Sequence, residues 1–288
     1  MGRPLARVLL FLVFAWTLSC VRKGHTWGSG LFHEEGRWVK IALRVQPYQG
    51  EIEPIVELYR KMGFGAVVVN EEDHTPRLGS LNHPPEFVIL PVVTLDLEWG
   101  ELAGIGVMRK LPENPMESLD VISVWQGVSL LRISDASQVS ESLLNRMDVI
   151  EWVELGLEAV PWPPGQTGRP WLAVSDSPRG DVFDCPGQAW IEVWAKTNEA
   201  QSIIDALRTG SFYSTTGPRF LGIKLAGKNL KIELMEEGTV SLVDPRGNVL
   251  QRSTGRRHLM PVDAGCSWAC LKLEDAEGRH AWTQPILF

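Results

Sequence analysis

The stretch AWIEVWAKTNEAQSIIDALRTGSFYSTTGPRF, Ala189 to Phe220, reads as a strand, a helix and a second extended run in immediate succession. Trp190 to Trp194 alternates apolar and polar residues, as a strand with one buried face requires. Ala200, Ile203, Ile204 and Leu207 then fall at i, i+3, i+4 and i+7, which gives the next segment one apolar helical face. Asn198 with Gln201 three residues on predicts a capping box at the start of that helix. Gly210 stands where a left-handed cap would end it, and Phe212 to Pro218 is extended up to the Gly217-Pro218 break. The unit is βα, the building block of an α/β protein.

Upstream the same alternation repeats. Trp38 to Val45 predicts a strand, and Glu51 to Met62 a helix with Ile52, Ile55, Tyr59 and Met62 on one face. Gly65 to Asn70, Phe87 to Thr94 and Leu102 to Met108 are apolar runs of strand length. Strands over Val128 to Ile133, Val149 to Val153 and Trp171 to Ser175 follow, with a helix over Ser137 to Met147. Such alternation predicts a mostly parallel sheet, open or closed into a barrel. Beyond Leu221 the pattern changes: Ile223, Leu225, Leu230, Ile232, Leu234, Val240 and Leu242 alternate with polar residues. Turn signals stand at Gly227-Lys228, Glu237-Gly238, Pro245-Arg246-Gly247 and Glu277-Gly278, so this part predicts a small all-β unit.

With 288 residues, 44% of them hydrophobic, the chain can bury one large core, or one core and a satellite. Its net charge of -7, without a long basic run, argues against a nucleic-acid surface, which needs cations to release counterions. At the amino end Arg3 and Arg7 precede an apolar run from Val8 to Leu18, shorter than the roughly 20 residues that span a bilayer comfortably. We therefore expect an export signal over residues 1–20 and a linker over 21–37. Leu18-Ser19-Cys20 resembles the end of a lipobox, which makes Cys20 the expected lipidation site; Thr17 and Ser19 equally suit ordinary signal cleavage. The expected destination is periplasmic, cell-surface or secreted. Cys185, Cys266 and Cys270 show neither a CxxC nor a zinc spacing and are expected to be thiols. If extended, Cys266 and Cys270 lie about 13 Å apart, beyond the roughly 7 Å limit for a disulfide.

The order of these elements resembles that of the polymerase and histidinol phosphatase (PHP) domain, in particular its secreted members with a C-terminal β-domain. The motifs VELYRKMGFGAVVV (56–69), SIIDALRTGSFYSTTGP (202–218) and AWTQPILF (281–288) carry the likeness. The resemblance implies an α/β fold: a distorted (β/α)7 PHP-like barrel over 38–220, followed by a small C-terminal all-β, sandwich-like domain over 221–288. It also implies two or three divalent ions at the barrel mouth, where a metal-activated water hydrolyses phosphate esters.

Residue by residue, the metal ligands are different here. Arg44 and Gln46 stand at the family's opening His-x-His. Glu71 and Glu72 stand at its Asp-His dipeptide, unless a two-residue insertion restores Asp73-His74. Thr94 replaces the bridging Glu, and Glu101 and Arg132 occupy two further histidine positions. The closing Asp-x-His keeps Asp176 but has Pro178 for the His.

An arginine offers only donors and stays protonated, so it cannot ligate a metal. The expectation is an exported PHP-like protein with a degenerate site and no cofactor, acting as a scaffold or binding module for a small ligand or a protein. Arg44, Glu72, Arg132 and Asp176 would then form an Arg/carboxylate network; solvated arginines and an anion-binding pocket are the other readings of the same residues. The alternative function is a phosphoesterase-type hydrolase with a rebuilt site. Glu71, Glu72, Asp73, His74, Asp96, Glu98, Glu101 and Asp176 supply donors for it, and Glu72, Asp73, His74 and Asp176 would hold one Mn, Mg, Ca or Zn ion. No G-x-S-x-G elbow or phosphate-cradling glycine fingerprint is present, so neither a serine nucleophile nor a nucleotide cofactor is implied. Trp99, Trp152, Trp162, Trp171, Trp190 and Trp194 are expected to pack rather than to form a sugar platform, with Trp162 the most exposed.

Overall fold

Strand β1 (Arg37–Val45) shows how the chain builds two layers. Val39, Ile41 and Leu43 join the main core, while Ala42 and Val45 face a second cluster under helix α1 (Glu53–Lys61). That helix buries Ile55, Val56 and Tyr59, carries a proline in its first turn, and has Arg60 and Lys61 in its last turn, where the helix dipole favours cations. The computed structural model describes residues 35–45, 52–70, 86–134, 138–152, 170–175, 187–244, 246–262 and 268–287.

Strand β2 (Ala66–Asn70) is parallel to β1 and to β3 (Val88–Leu97). It lies buried on both faces, which is why AVVV is continuously apolar rather than alternating. β4 (Gly100–Ile105) runs antiparallel to β3 and to β5 (Val128–Ile133); β6 (Val149–Trp152) and β7 (Trp171–Val174) continue in parallel from β5. On the other side of β1, β8 (Trp190–Ala195) is antiparallel to it and to β9 (Phe212–Thr215). The architecture is thus mixed α/β, a large sheet with few helices.

Helix α2 (Pro115–Val124) lies where no helix is expected from periodicity. Its start is nevertheless written locally: the Asn114 side chain accepts from Met116 N at 2.9 Å, and Pro115 follows it. Helix α3 (Glu141–Leu144) is a single turn, shorter than the expected Ser137 to Met147. Helix α4 (Ala200–Thr209) ends at Gly210 in the left-handed conformation, as predicted, but the capping box does not form. Asn198 instead donates to the carbonyls of Gly65 and Glu86, tying the helix entry to the loops flanking β2.

The C-terminal strands are β10 (Phe220–Ala226), β11 (Asn229–Val243), β12 (Val249–Pro261), β13 (Trp268–Glu274), β14 (His280–Thr283) and β15 (Ile286–Leu287). β14 pairs with both β13 and β9, so hydrogen bonding runs unbroken from β10 to β7 in the order β10-β11-β13-β14-β9-β8-β1-β2-β3-β4-β5-β6-β7. Glu237-Gly238 is not a turn. β11 passes straight through it at a register shift, and a Cβ on Gly238 would lie 2.7 Å from Leu273 Cδ1.

The far edge of this path returns to its middle. Ser214 Oγ on β9 donates to Leu172 O on β7 at 3.3 Å. Gln284, beyond β14, donates from Nε2 to the same carbonyl at 2.8 Å and accepts from Leu172 N at 3.0 Å. One side-chain amide thereby supplies both hydrogen bonds that a neighbouring strand would offer. Among the described residues no helix is long and apolar enough to cross a membrane.

Candidate functional site

Four neighbouring strands place a row of charged residues on one level. Asp96 pairs with Glu101, Glu101 with Arg132, and Arg132 with Glu151, across β3, β4, β5 and β6. Two residues along the same faces, Ala103, Leu130 and Val149 belong to the main core. The row therefore caps that core at the carboxyl ends of β3, β5 and β6, the end at which α/β sheets form ligand sites. Thr94 is half-buried on β3, opposite Ala103 and one step deeper than Asp96.

Arg44 reaches this row from the opposite wall. Strict alternation along β1 would send it to the α1 side with Ala42. Instead Arg44 adopts φ 57, and the register between β1 and β2 shifts between Ala42 and Val45. A bulge of this kind re-aims a side chain. The guanidinium Nη2 donates to Glu101 Oε2 at 3.0 Å, and Nη1 lies 3.6 Å from Glu151 Oε1. Ser175 Oγ, just past β7, donates to the same Glu151 oxygen.

Glu151 has no exposed side-chain surface, and Arg44 and Glu101 retain only 11% and 17%. Burial raises the Glu101 pKa above the usual carboxylate value; the Arg44 charge opposes this, Glu151 reinforces it, and Arg132 and Asp96 act more weakly in opposite senses. Glu101 Oε1 and Glu151 Oε2 are buried without a hydrogen-bond partner. Arg44 already supplies these two carboxylates with a permanent positive charge. Among the described residues no group of three or more His, Cys, Asp or Glu is placed to hold a metal.

Of the residues singled out in the sequence, Arg44, Asp96, Glu101 and Arg132 come together here, with Thr94 below them, while Glu98 lies exposed in the turn between β3 and β4. Gln46, Glu71, Glu72, Asp73, His74, Asp176, Pro178 and Cys20 lie outside the described residues. Glu151 and Ser175 belong to the site but not to the sequence reading. The available signal was a lone carboxylate inside the apolar run Val149-Ile150-Glu151-Trp152. Trp171 and Trp190 are buried, and Trp99 and Trp194 half-buried, so none of these four offers an open stacking platform.

A second buried charge lies on the other face of the sheet. The Glu192 side chain on β8 is fully enclosed; Arg219 Nε stands 2.7 Å from Oε1 and its Nη2 donates to Oε2 at 3.2 Å. Trp190 Nε1 adds a bond to Oε1 at 3.0 Å. Arg219 directly precedes β10, so this pair fastens the C-terminal strands to β8. Tyr213 on β9 packs edge-on to Trp38 and Phe220, and its burial, with the Glu192 charge nearby, pushes the phenol pKa well up.

The family model for proteins of unknown function DUF3604 matches residues 181–253. That stretch contains the Glu192–Arg219 junction and none of Arg44, Glu101, Arg132 or Glu151. No curated protein matches the chain. Among solved structures, a two-domain protein containing a predicted PHP-like metal-dependent phosphoesterase from Bacteroides vulgatus is similar over 84% of this chain and 91% of its own, with 12% identity and a TM-score of 0.47. Native alpha-2-macroglobulin from Escherichia coli, spanning domains NIE-MG1, aligns with 33% of this chain and 48% of its own, with 11% identity and a TM-score of 0.21.

Proposed function

We propose that this chain is an exported PHP-like protein whose distorted (β/α)7 barrel has become a non-catalytic binding module carrying a small all-β domain. The observation that supports it is the re-aimed Arg44, bridging Glu101 and Glu151 at the strand ends. A divalent ion would need those carboxylates, and the guanidinium already neutralises them. The module's occupant would be a small ligand or a protein approaching the barrel mouth. Residues 1–20 would direct export, with Cys20 either lipidated or removed with the leader.

Hydrolysis at a rebuilt site with Glu72, Asp73, His74 and Asp176 is the second reading. The two unpartnered oxygens, Glu101 Oε1 and Glu151 Oε2, favour it, since a cation would satisfy them. One experiment separates the two. Protein lacking residues 1–20, purified without chelator, is dialysed against Mn²⁺, Zn²⁺, Mg²⁺ and Ca²⁺ in turn, and its metal content is read by mass spectrometry. The binding-module reading expects far less than one ion per chain. Stoichiometric metal would overturn it and call for phosphoesterase assays on variants of Asp73, His74 and Asp176.

A further inference from the structure

We propose that the outer face of β10, β11 and β12 binds a small oxyanion-bearing ligand, a phosphate or sulfate ester. The chain is acidic, with a net charge of -7, yet residues 220–261 carry seven Lys or Arg against four Asp or Glu. Strand register sorts these charges. Lys224 stands opposite Lys231, and Lys231 opposite Leu259; in the next row Gly222, Glu233 and Arg257 face one another. Ile223, Leu230 and Ile232 are core residues, so the alternation turns both lysines to solvent.

Directly opposed side chains on antiparallel strands have Cβ atoms about 5 Å apart, and like charges there repel. Arg257 is answered by Glu233, 3.0 Å away. Neither lysine has a carboxylate partner within ion-pair distance among the described residues. A groove of about 490 Å³ runs over these strands, within the roughly 300–1,000 Å³ of small-ligand sites. A Cβ built on Gly222 would meet nothing within 4 Å, so space is open beside the lysine pair. Leu259, 62% exposed, flanks it with an apolar surface. An oxyanion between the two ammonium groups would turn their repulsion into attraction, and Leu259 would contact the ligand's body.

The test is titration calorimetry on the full chain at low salt, with glucose 6-phosphate, inorganic phosphate and glucose as probes. We expect glucose 6-phosphate to bind, inorganic phosphate to bind more weakly and glucose not at all, with affinity falling as salt is added. Lys224→Glu and Lys231→Glu should each weaken glucose 6-phosphate by about tenfold or more, their folding checked by circular dichroism. The proposal is overturned if neither phosphate probe binds, or if both variants bind as tightly as the parent. It is also overturned if the protein ignores the soluble probes yet sediments with phosphatidylglycerol vesicles, which would make this face a lipid-contacting surface.

Discussion

Replacing Arg44 by glycine should leave the protein more stable than replacing it by alanine, the reverse of the usual order inside a strand. Both variants lose the guanidinium and strand Glu151, whose side chain is wholly buried, beside Glu101. Removing one partner of a buried pair typically costs about 3–5 kcal/mol, and the small exposure of Glu101 places the loss near the lower figure. The two variants then part on backbone conformation. Ala42 and Val45 both pack under α1, which holds the bulge and with it φ 57 at position 44. Alanine held there pays about 1–2 kcal/mol for the left-handed region, and glycine does not. In a regular strand glycine would instead be worse by about 0.5–1 kcal/mol. Urea unfolding of the parent and both variants, followed by tryptophan fluorescence, measures the order. We expect glycine ahead of alanine by about 1 kcal/mol. Alanine equal to or above glycine would refute the strained bulge, and two variants within about 1 kcal/mol of the parent would refute the buried network.

Three further outcomes follow from the same physics. Arg219→Ala leaves the enclosed Glu192 carboxylate without its cation and should cost about 3–5 kcal/mol, whereas the double change Arg219→Met with Glu192→Leu should cost much less; equal losses would count against the pair. His258 is buried, with its ring nitrogens 3.0 Å from Ser253 Oγ and 3.1 Å from Gly255 O, and burial holds its pKa below 6.5. A folded pKa below the unfolded one means that its contribution is present above about pH 6.5 and is lost as pH falls through the folded value. Unfolding midpoints should therefore drop below pH 6.5 and do so less in His258→Gln; an identical drop in both would exclude the histidine. Gln284→Ala uncovers the Leu172 N–H, leaves its C=O to Ser214 Oγ, and should cost about 1–3 kcal/mol, with faster amide exchange at residue 172; unchanged exchange would show that another group seals that edge.

Most elements were legible because their signals are local. The apolar face of α4, its Gly210 cap, the continuous AVVV of β2 and the hairpin at Gly227-Lys228 each depend on a few neighbouring residues and on backbone sterics. At two of the positions where the structure departs from that reading, a distant partner overrides the local preference. Asn198 bonds loops around β2 rather than its own helix, and Gly238 reads as a turn but clears space for Leu273. The order of apolar and polar residues alone specifies the alternating α/β chain, the all-β end, and arginines near the ends of the strands at 44 and 132. Where Arg44 points was decided only in the folded molecule. Alternation sends it towards α1, and a left-handed residue in a bulge turns it across to carboxylates 57 residues further along, on β4, and on β6. Glu151 became part of the site in the same way, since a carboxylate inside an apolar run shows its partner only when the opposite wall of the sheet has closed over it.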